Sequence, residues 1–165
     1  MKLFLPYGSL DTKKKVLFFV LLSLCLLALV FIFYNSSLPS AVSGEQSEAV
    51  GGAIESVLPE DSPIADFLVT NIRVTAHFAE FFLLGALVSL TLAFFSYRPI
   101  ILAVPSVISG VLIGLADETV QYFSARGPEI LDVWGDAFGY FTAAVAVNLI
   151  YLAVRFLGAR AKKET

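Results

Sequence analysis

The sequence predicts an all-α polytopic membrane protein: a bundle of four transmembrane helices with an extracytoplasmic loop after the first. Three observations predict it. The 165 residues are 58% hydrophobic and only 15% charged, with a mean hydropathy of +0.82, which leaves too little polar surface for a soluble domain. Four stretches run uncharged for about a membrane's width. Basic residues gather on one side of those stretches and acids on the other. The net charge of -3 and the lack of a basic stripe exclude a nucleic-acid module, and the hydrophobicity excludes disorder. The single cysteine, Cys25, lies inside an apolar run, so the chain carries neither a disulfide framework nor a thiolate metal site.

The uncharged runs are 16–34, 81–97, 99–116 and 137–154. A hydrocarbon core of roughly 30 Å needs about 20 helical residues, so each run spans once its flanks contribute. The expected helices are 16–34, 74–97, 99–118 and 132–154, in a single domain covering 1–165, with 35–73 as the outer loop. The runs are rich in Leu, Val, Ala and Phe and lack the dyad alternation of a barrel strand. The first run has a basic flank and an Ala41-Val42-Ser43 tripeptide, as a signal peptide does. It is longer than the usual apolar region of about 7–15 residues, and the tripeptide lies far beyond its end.

Nine of the eleven basic residues fall on one side: Lys2, Lys13, Lys14, Lys15, Arg98, Arg155, Arg160, Lys162 and Lys163. By the positive-inside rule that side is cytoplasmic, both termini are inside, and the protein is a multi-pass protein of the cell (plasma) membrane. Arg73 and Arg126 stand on the other side with all the acids except Asp11 and Glu164. The outer segment is rich in Ser, Gly and acids and too short to bury a core of its own. Short surface helices are expected over 49–58 and 64–72, and Asn35-Ser36-Ser37 matches a glycosylation sequon. Glu45, Glu48, Glu55, Glu60, Asp61 and Asp66 read as solvated loop residues.

A second set of acids is different. Glu80 lies 18 positions before Arg98, Asp117 lies 19 after it, and Asp136 lies 19 before Arg155. At the ~1.5 Å helical rise these separations put all three about 27–29 Å from the inner boundary, at the outer edge of the hydrocarbon. His77 and Glu80 share a helix face at i, i+3. So do Glu118 and Gln121, while Asp117 with Gln121 and Asp132 with Asp136 are i, i+4 pairs. Arg126, in the loop that precedes the last helix, can fold back over this plane. The plainer reading is that interfacial acids are common and that a lone histidine at a helix start is a structural hydrogen-bonding group. Against it, Glu80, Asp117, Glu118, Asp132 and Asp136 with Arg126 as counter-ion sum to -4, and such a group cannot all stay charged when packed together. It must hold protons, bind a cation or lean on Arg126. Ionisable residues at membrane depth are functional candidates by default.

The same residues carry a resemblance. Ala76-His77-Phe78-Ala79-Glu80-Phe81-Phe82-Leu83-Leu84-Gly85 opens one helix, and Asp117-Glu118-Thr119-Val120-Gln121-Tyr122-Phe123 closes another. Then come Arg126-Gly127-Pro128-Glu129-Ile130-Leu131-Asp132-Val133-Trp134-Gly135-Asp136 and Gly139. In this order and spacing they resemble the VanZ-like family of small bacterial membrane proteins, over about the C-terminal two-thirds of the chain. The family often has a lysine three residues before the histidine; here Val74 stands there, with Arg73 one residue earlier. The resemblance implies a polytopic membrane protein with its motif residues on the outer face. More weakly, it implies a link to low-level resistance to the glycopeptide teicoplanin.

Three functions follow as expectations. The first is a protein that binds or acts on cell-envelope material, a lipid head group or glycan, through His77, Glu80, Asp117, Glu118, Gln121, Arg126, Asp132 and Asp136. The second is a hydrolase or transferase at the membrane rim. It would use His77, Glu80, Asp117, Glu118 or Asp136 for acid–base catalysis, or a divalent cation held among His77, Glu80, Asp117, Asp132 and Asp136. No serine, cysteine or lysine nucleophile is expected in that plane. The third is a proton-coupled carrier, ranked last because the spans are nearly bare of polar groups at mid-depth. Gly110 and Gly114 with Ser106, and Gly135 with Gly139, give small-residue spacing for close helix packing. Trp134, Tyr122 and Tyr140 read as outer interfacial aromatics, Tyr97 and Tyr7 as inner ones.

Overall fold

A computed structural model describes residues 10–59, 61–94, 99–124 and 129–161. Lys2, Tyr7, Glu60, Tyr97, Arg98, Arg126, Lys162, Lys163 and Glu164, which entered the topology and site arguments, lie outside the described residues. Among those described, every regular element is a helix: α1 (Thr12–Ser37), α2 (Ser40–Val57), α3 (Pro63–Thr70), α4 (Ile72–Ala93), α5 (Pro99–Phe123) and α6 (Ile130–Ala161). Among the described residues three stretches, Thr12–Ser37, Ile72–Ala93 and Ile130–Gly158, are long and apolar enough to cross a membrane. Their outer faces are apolar too. Leu17, Phe19, Leu27 and Val30 on α1, and Phe138, Phe141 and Leu149 on α6, are exposed, as lipid-facing side chains are.

Helix α1 starts where Asp11 caps it. The Asp11 carboxylate accepts from the Lys14 backbone N–H at 2.9 Å. That hydrogen bond, helped by the Lys14 ammonium, holds the exposed Asp11 carboxyl below its ordinary range. A carboxyl depressed by folding contributes stability above its unfolded value and loses it as pH falls through the lower folded value. Hydrogen exchange, corrected for intrinsic rates, should therefore show the Lys14 amide protected at neutral pH and unprotected only in strong acid. Equal protection in Asp11→Ala at neutral pH would remove the cap from the account.

At its other end α1 continues through Ser37, one turn beyond the expected 16–34, so Asn35 and Ser36 belong to a helix and not to the loop. Leu38 N–H caps the turn on Asn35 O, and Pro39 then redirects the chain. The outer segment is more ordered than its Ser- and Gly-rich composition indicates. Helix α2 begins at Ser40, well before the expected 49, and the Ser47 hydroxyl donates to the Ser43 carbonyl at 3.0 Å. Ser62 caps α3 with Pro63 in the first turn, and a Cβ added at Gly51 of α2 would lie 3.7 Å from the Val69 side chain on α3. Asn71 separates α3 from α4, its side-chain amide donating to Phe67 O at 2.9 Å.

Helix α6 makes its broadest contact with α4 and its next with α5, while α1 lies against α4 and α5. The core among these helices is Ile32, Phe81, Leu84 and Tyr140, with Ala28, Leu29, Val88 and Ile113 packed on it. Tyr140 corrects the sequence expectation: it is 1% exposed, not an interfacial aromatic. Its ring lies over Gly110 and its backbone against Gly85, each so close that an added Cβ would sit within 2.5–2.7 Å. Ser106 and Ser109 of α5 meet its hydroxyl at 3.5 and 3.2 Å. Two glycines supply the slot and two serines satisfy the polar tip, so the ring is drawn inward. Trp134 and Tyr122 stay exposed.

Candidate functional site

The N-terminal half of α4, the C-terminal half of α5, the first turns of α6 and the last turn of α1 meet at one end of the bundle. From α4 come Arg73, His77 and Glu80, spaced i, i+4, i+7 on one face. From α5 come Asp117, Glu118 and Gln121; from α6 come Asp132 and Asp136. Asp117, Gln121, Asp132 and Asp136 are completely buried, and His77 and Glu118 are each 7% exposed.

His77 is the hub. Its Nδ1 lies 2.9 Å from Asp136 Oδ1 and 3.8 Å from Asp117 Oδ2, and its Nε2 faces Asp132 Oδ2 at 3.8 Å. Asp117 also accepts from the Ser36 hydroxyl and, at 2.8 Å, from the Gln121 amide. Glu118 Oε2 accepts from the Glu129 backbone N–H at 3.1 Å. Glu80 accepts from the Asn35 amide at 2.8 Å. Arg73 closes the ring: its Nε pairs with Asp132 Oδ2 at 2.7 Å, Nη1 with Glu129 Oε1 at 3.0 Å, and Nη2 donates to Gln121 Oε1 at 2.8 Å. Four buried carboxylate oxygens have no hydrogen-bond partner among the described residues: Glu118 Oε1, Asp136 Oδ2 and both oxygens of Asp132, of which Oδ2 has the ion pair with Arg73. One ligating atom from each of His77, Asp117, Glu118 and Asp136 lies within 4.8 Å of the other three. Glu80 and Asp132, two expected ligand candidates, are outside this group and engaged by Asn35 and Arg73.

Arg126, the expected counter-ion, lies outside the described residues; among those described, the half-buried Arg73 supplies a cation. The i, i+4 spacing of Arg73 to His77 carried that signal, but its offset from the family's basic position hid it. Asn35, Ser36 and Glu129 were also missed. Asn35 is 20 residues after Lys15, so the same depth count that found Glu80 finds it. Its side-chain nitrogen, the atom a sequon offers to a glycan, is instead bonded to Glu80. Ser36 likewise corrects the expectation that no serine stands in this plane.

Beside the cluster a cavity of about 430 Å³ opens between α1, α2 and α4. Its wall includes Asn35, Ser36, Gln46, Arg73, His77 and Glu80, together with apolar Phe31, Val50 and Ile72. A mixed lining of this kind admits a ligand with both an apolar and a polar part.

Fold and site together define a small helical membrane protein with an acid–imidazole cluster buried at one end of its bundle. Residues 18–151 match the family described as VanZ/LLP1, and the chain belongs to that family. No curated protein and no solved structure matches it.

Proposed function

We propose that the chain is a four-span protein of the bacterial plasma membrane, with both termini cytoplasmic, that binds the polar head group of an envelope lipid or glycan at its outer face. The observation that carries this is the cavity between α1, α2 and α4, where apolar side chains border Arg73, His77, Glu80 and Asn35. Phe31, Val50 and Ile72 suit a lipid neck, and the polar wall suits a hydroxylated or anionic head. Support for the fourth span comes from α5, which is 25 residues long and uncharged over 99–116. The basic flanks support the orientation. A part in low-level teicoplanin resistance belongs to the same proposal, and family membership supports it. In this reading protection follows from altered display of, or access to, the bound envelope material.

Gln46 offers a clean test, because it is exposed on α2 and lines the cavity without joining the buried cluster. Wild-type protein purified in mild detergent should carry a co-purifying envelope lipid in native mass spectrometry. Gln46→Trp should lose most of it while membrane insertion and melting temperature hold. Equal lipid retention in the two would sink the cavity as the binding site.

A second reading, a rim hydrolase or transferase, is favoured by one arrangement. Ser36 lines the cavity and its hydroxyl donates to Asp117, while His77 beside it is paired with Asp136. A hydroxyl on one oxygen of Asp117 and an imidazole 3.8 Å from the other are groups that nucleophilic and acid–base catalysis use.

A further inference from the structure

The geometry points to a divalent transition-metal site formed by His77, Asp117, Glu118 and Asp136. The inference deepens the binding site proposed above and rests on that reading only for its purpose; the site itself stands on its own geometry. The four ligating atoms come from α4, α5 and α6 and lie within 4.8 Å of one another. Metal–ligand bonds of about 2.0–2.2 Å put cis ligands roughly 3 Å apart and trans ligands a little over 4 Å apart. His77 Nδ1 and Asp136 Oδ1, at 2.9 Å, already have cis spacing, and Asp117 Oδ2 lies 3.8 Å from the same nitrogen. Inward shifts of a few tenths of an ångström would close the set.

An acidic cluster alone is not a metal site, but here two further observations point to a ligand. Asp136 Oδ2 and Glu118 Oε1 are buried without partners among the described residues, on side chains 0% and 7% exposed. A buried carboxylate oxygen without a donor is costly, and a cation relieves it. The supporting groups also have the form that metal ligands need. Ser36 and Gln121 hold Asp117, the Glu129 N–H holds Glu118, and His77 Nε2 faces Asp132, itself fixed by Arg73. At 3.8 Å Asp132 stands just beyond hydrogen-bond reach of His77 Nε2, on the side where a metal-ligating imidazole takes its second-sphere carboxylate.

Charge selects the ion class. With Asp132 paired to Arg73 and outside the ligand set, the three ligand carboxylates Asp117, Glu118 and Asp136 sum to -3, and a dication leaves -1. One imidazole among three carboxylates favours Mn²⁺ or Zn²⁺ over Mg²⁺ or Ca²⁺, which take oxygen donors.

Mn²⁺ is the probe. Full-length protein in detergent, stripped with chelator and titrated with Mn²⁺, should bind one ion per chain. Its pulsed electron paramagnetic resonance spectrum should show coupling to one imidazole nitrogen. Asp136→Asn and Glu118→Gln should weaken binding by about tenfold or more, and His77→Gln should abolish the nitrogen coupling. Glu48→Gln, exposed on α2 and off the cavity wall, should bind Mn²⁺ as wild type does. No stoichiometric Mn²⁺ binding by the wild type, or no nitrogen coupling, overturns the proposal whether or not any variant folds. Gln46→Trp should lose lipid and keep Mn²⁺. Lipid retention without Mn²⁺ therefore sinks the metal site alone, and Mn²⁺ binding without lipid sinks the cavity reading alone.

Discussion

Replacing Gly139 by alanine is expected to force α4 and α6 apart and to remove most of the folded protein from detergent extracts. An added Cβ at Gly139 would collide with the carbonyl oxygen of Phe78, and the Phe78 Cα lies only 3.1 Å from the same point. The obstacle is backbone, so no side-chain rotation relieves it and the helices must separate. Overpacking usually costs about 1–3 kcal/mol; a backbone clash at the most extensive helix pair belongs at or above the top of that range. The damage reaches the site directly. Phe78 follows His77, and Gly139 is one turn from Asp136, so separation there pulls on the 2.9 Å His77–Asp136 contact. Gly44→Ala is the control, because nothing lies within 4 Å of its added Cβ, and alanine in a helix gains up to about 1 kcal/mol over glycine. Thermal unfolding of the two variants in one detergent decides the matter. A Gly139→Ala protein melting with the wild type would show that the α4–α6 approach is not as tight as described.

Arg73→Met should be nearly as damaging. It leaves Asp132, which is fully buried, without its 2.7 Å cation and strips a partner from Gln121. Breaking a buried ion pair from one side costs about 3–5 kcal/mol. The Arg73 side chain is 31% exposed, so solvent screening places the loss toward the lower end, about 3 kcal/mol. The double variant Arg73→Met/Asp132→Leu removes both charges and should recover much of that loss, since neutral side chains of similar volume often replace a buried pair without penalty. Unfolding midpoints of the wild type, both single variants and the double variant give the coupling directly. Additive effects would mean that the pair does not hold the helix ends together.

Much of this was legible from the residues. Uncharged runs and flanking charges located the apolar helices, because hydrocarbon tolerates little else. Counting helical rise from Arg98 and Arg155 brought Glu80, Asp117 and Asp136 to one depth. What the count lacked was azimuth. Depth does not say which neighbour a side chain meets, so the pairing of Arg73 with Asp132 is not readable from it. The first helix was ended at residue 34 because Asn35 and Ser36 read as loop residues. Their side chains bond to Glu80 and Asp117, partners 45 and 81 residues away that no local pattern reveals. Tyr140 failed for the opposite reason: its aromatic chemistry suits an interface, and only the glycines across the bundle made room for it in the core.

The cavity's three walls are not equally firm. Two are long helices locked into the bundle. The third, α2, hangs between the bend at Pro39 and the short α3, and packs on α3 and more sparsely on α4. Sparse tertiary support makes an element the first to yield under load. The aperture is thus set by its weakest side, which can give way to guests of different girth while the anchoring groups on α4 stay in register. Discrimination then falls to charge and hydrogen bonding at the rigid wall, and size is a secondary filter.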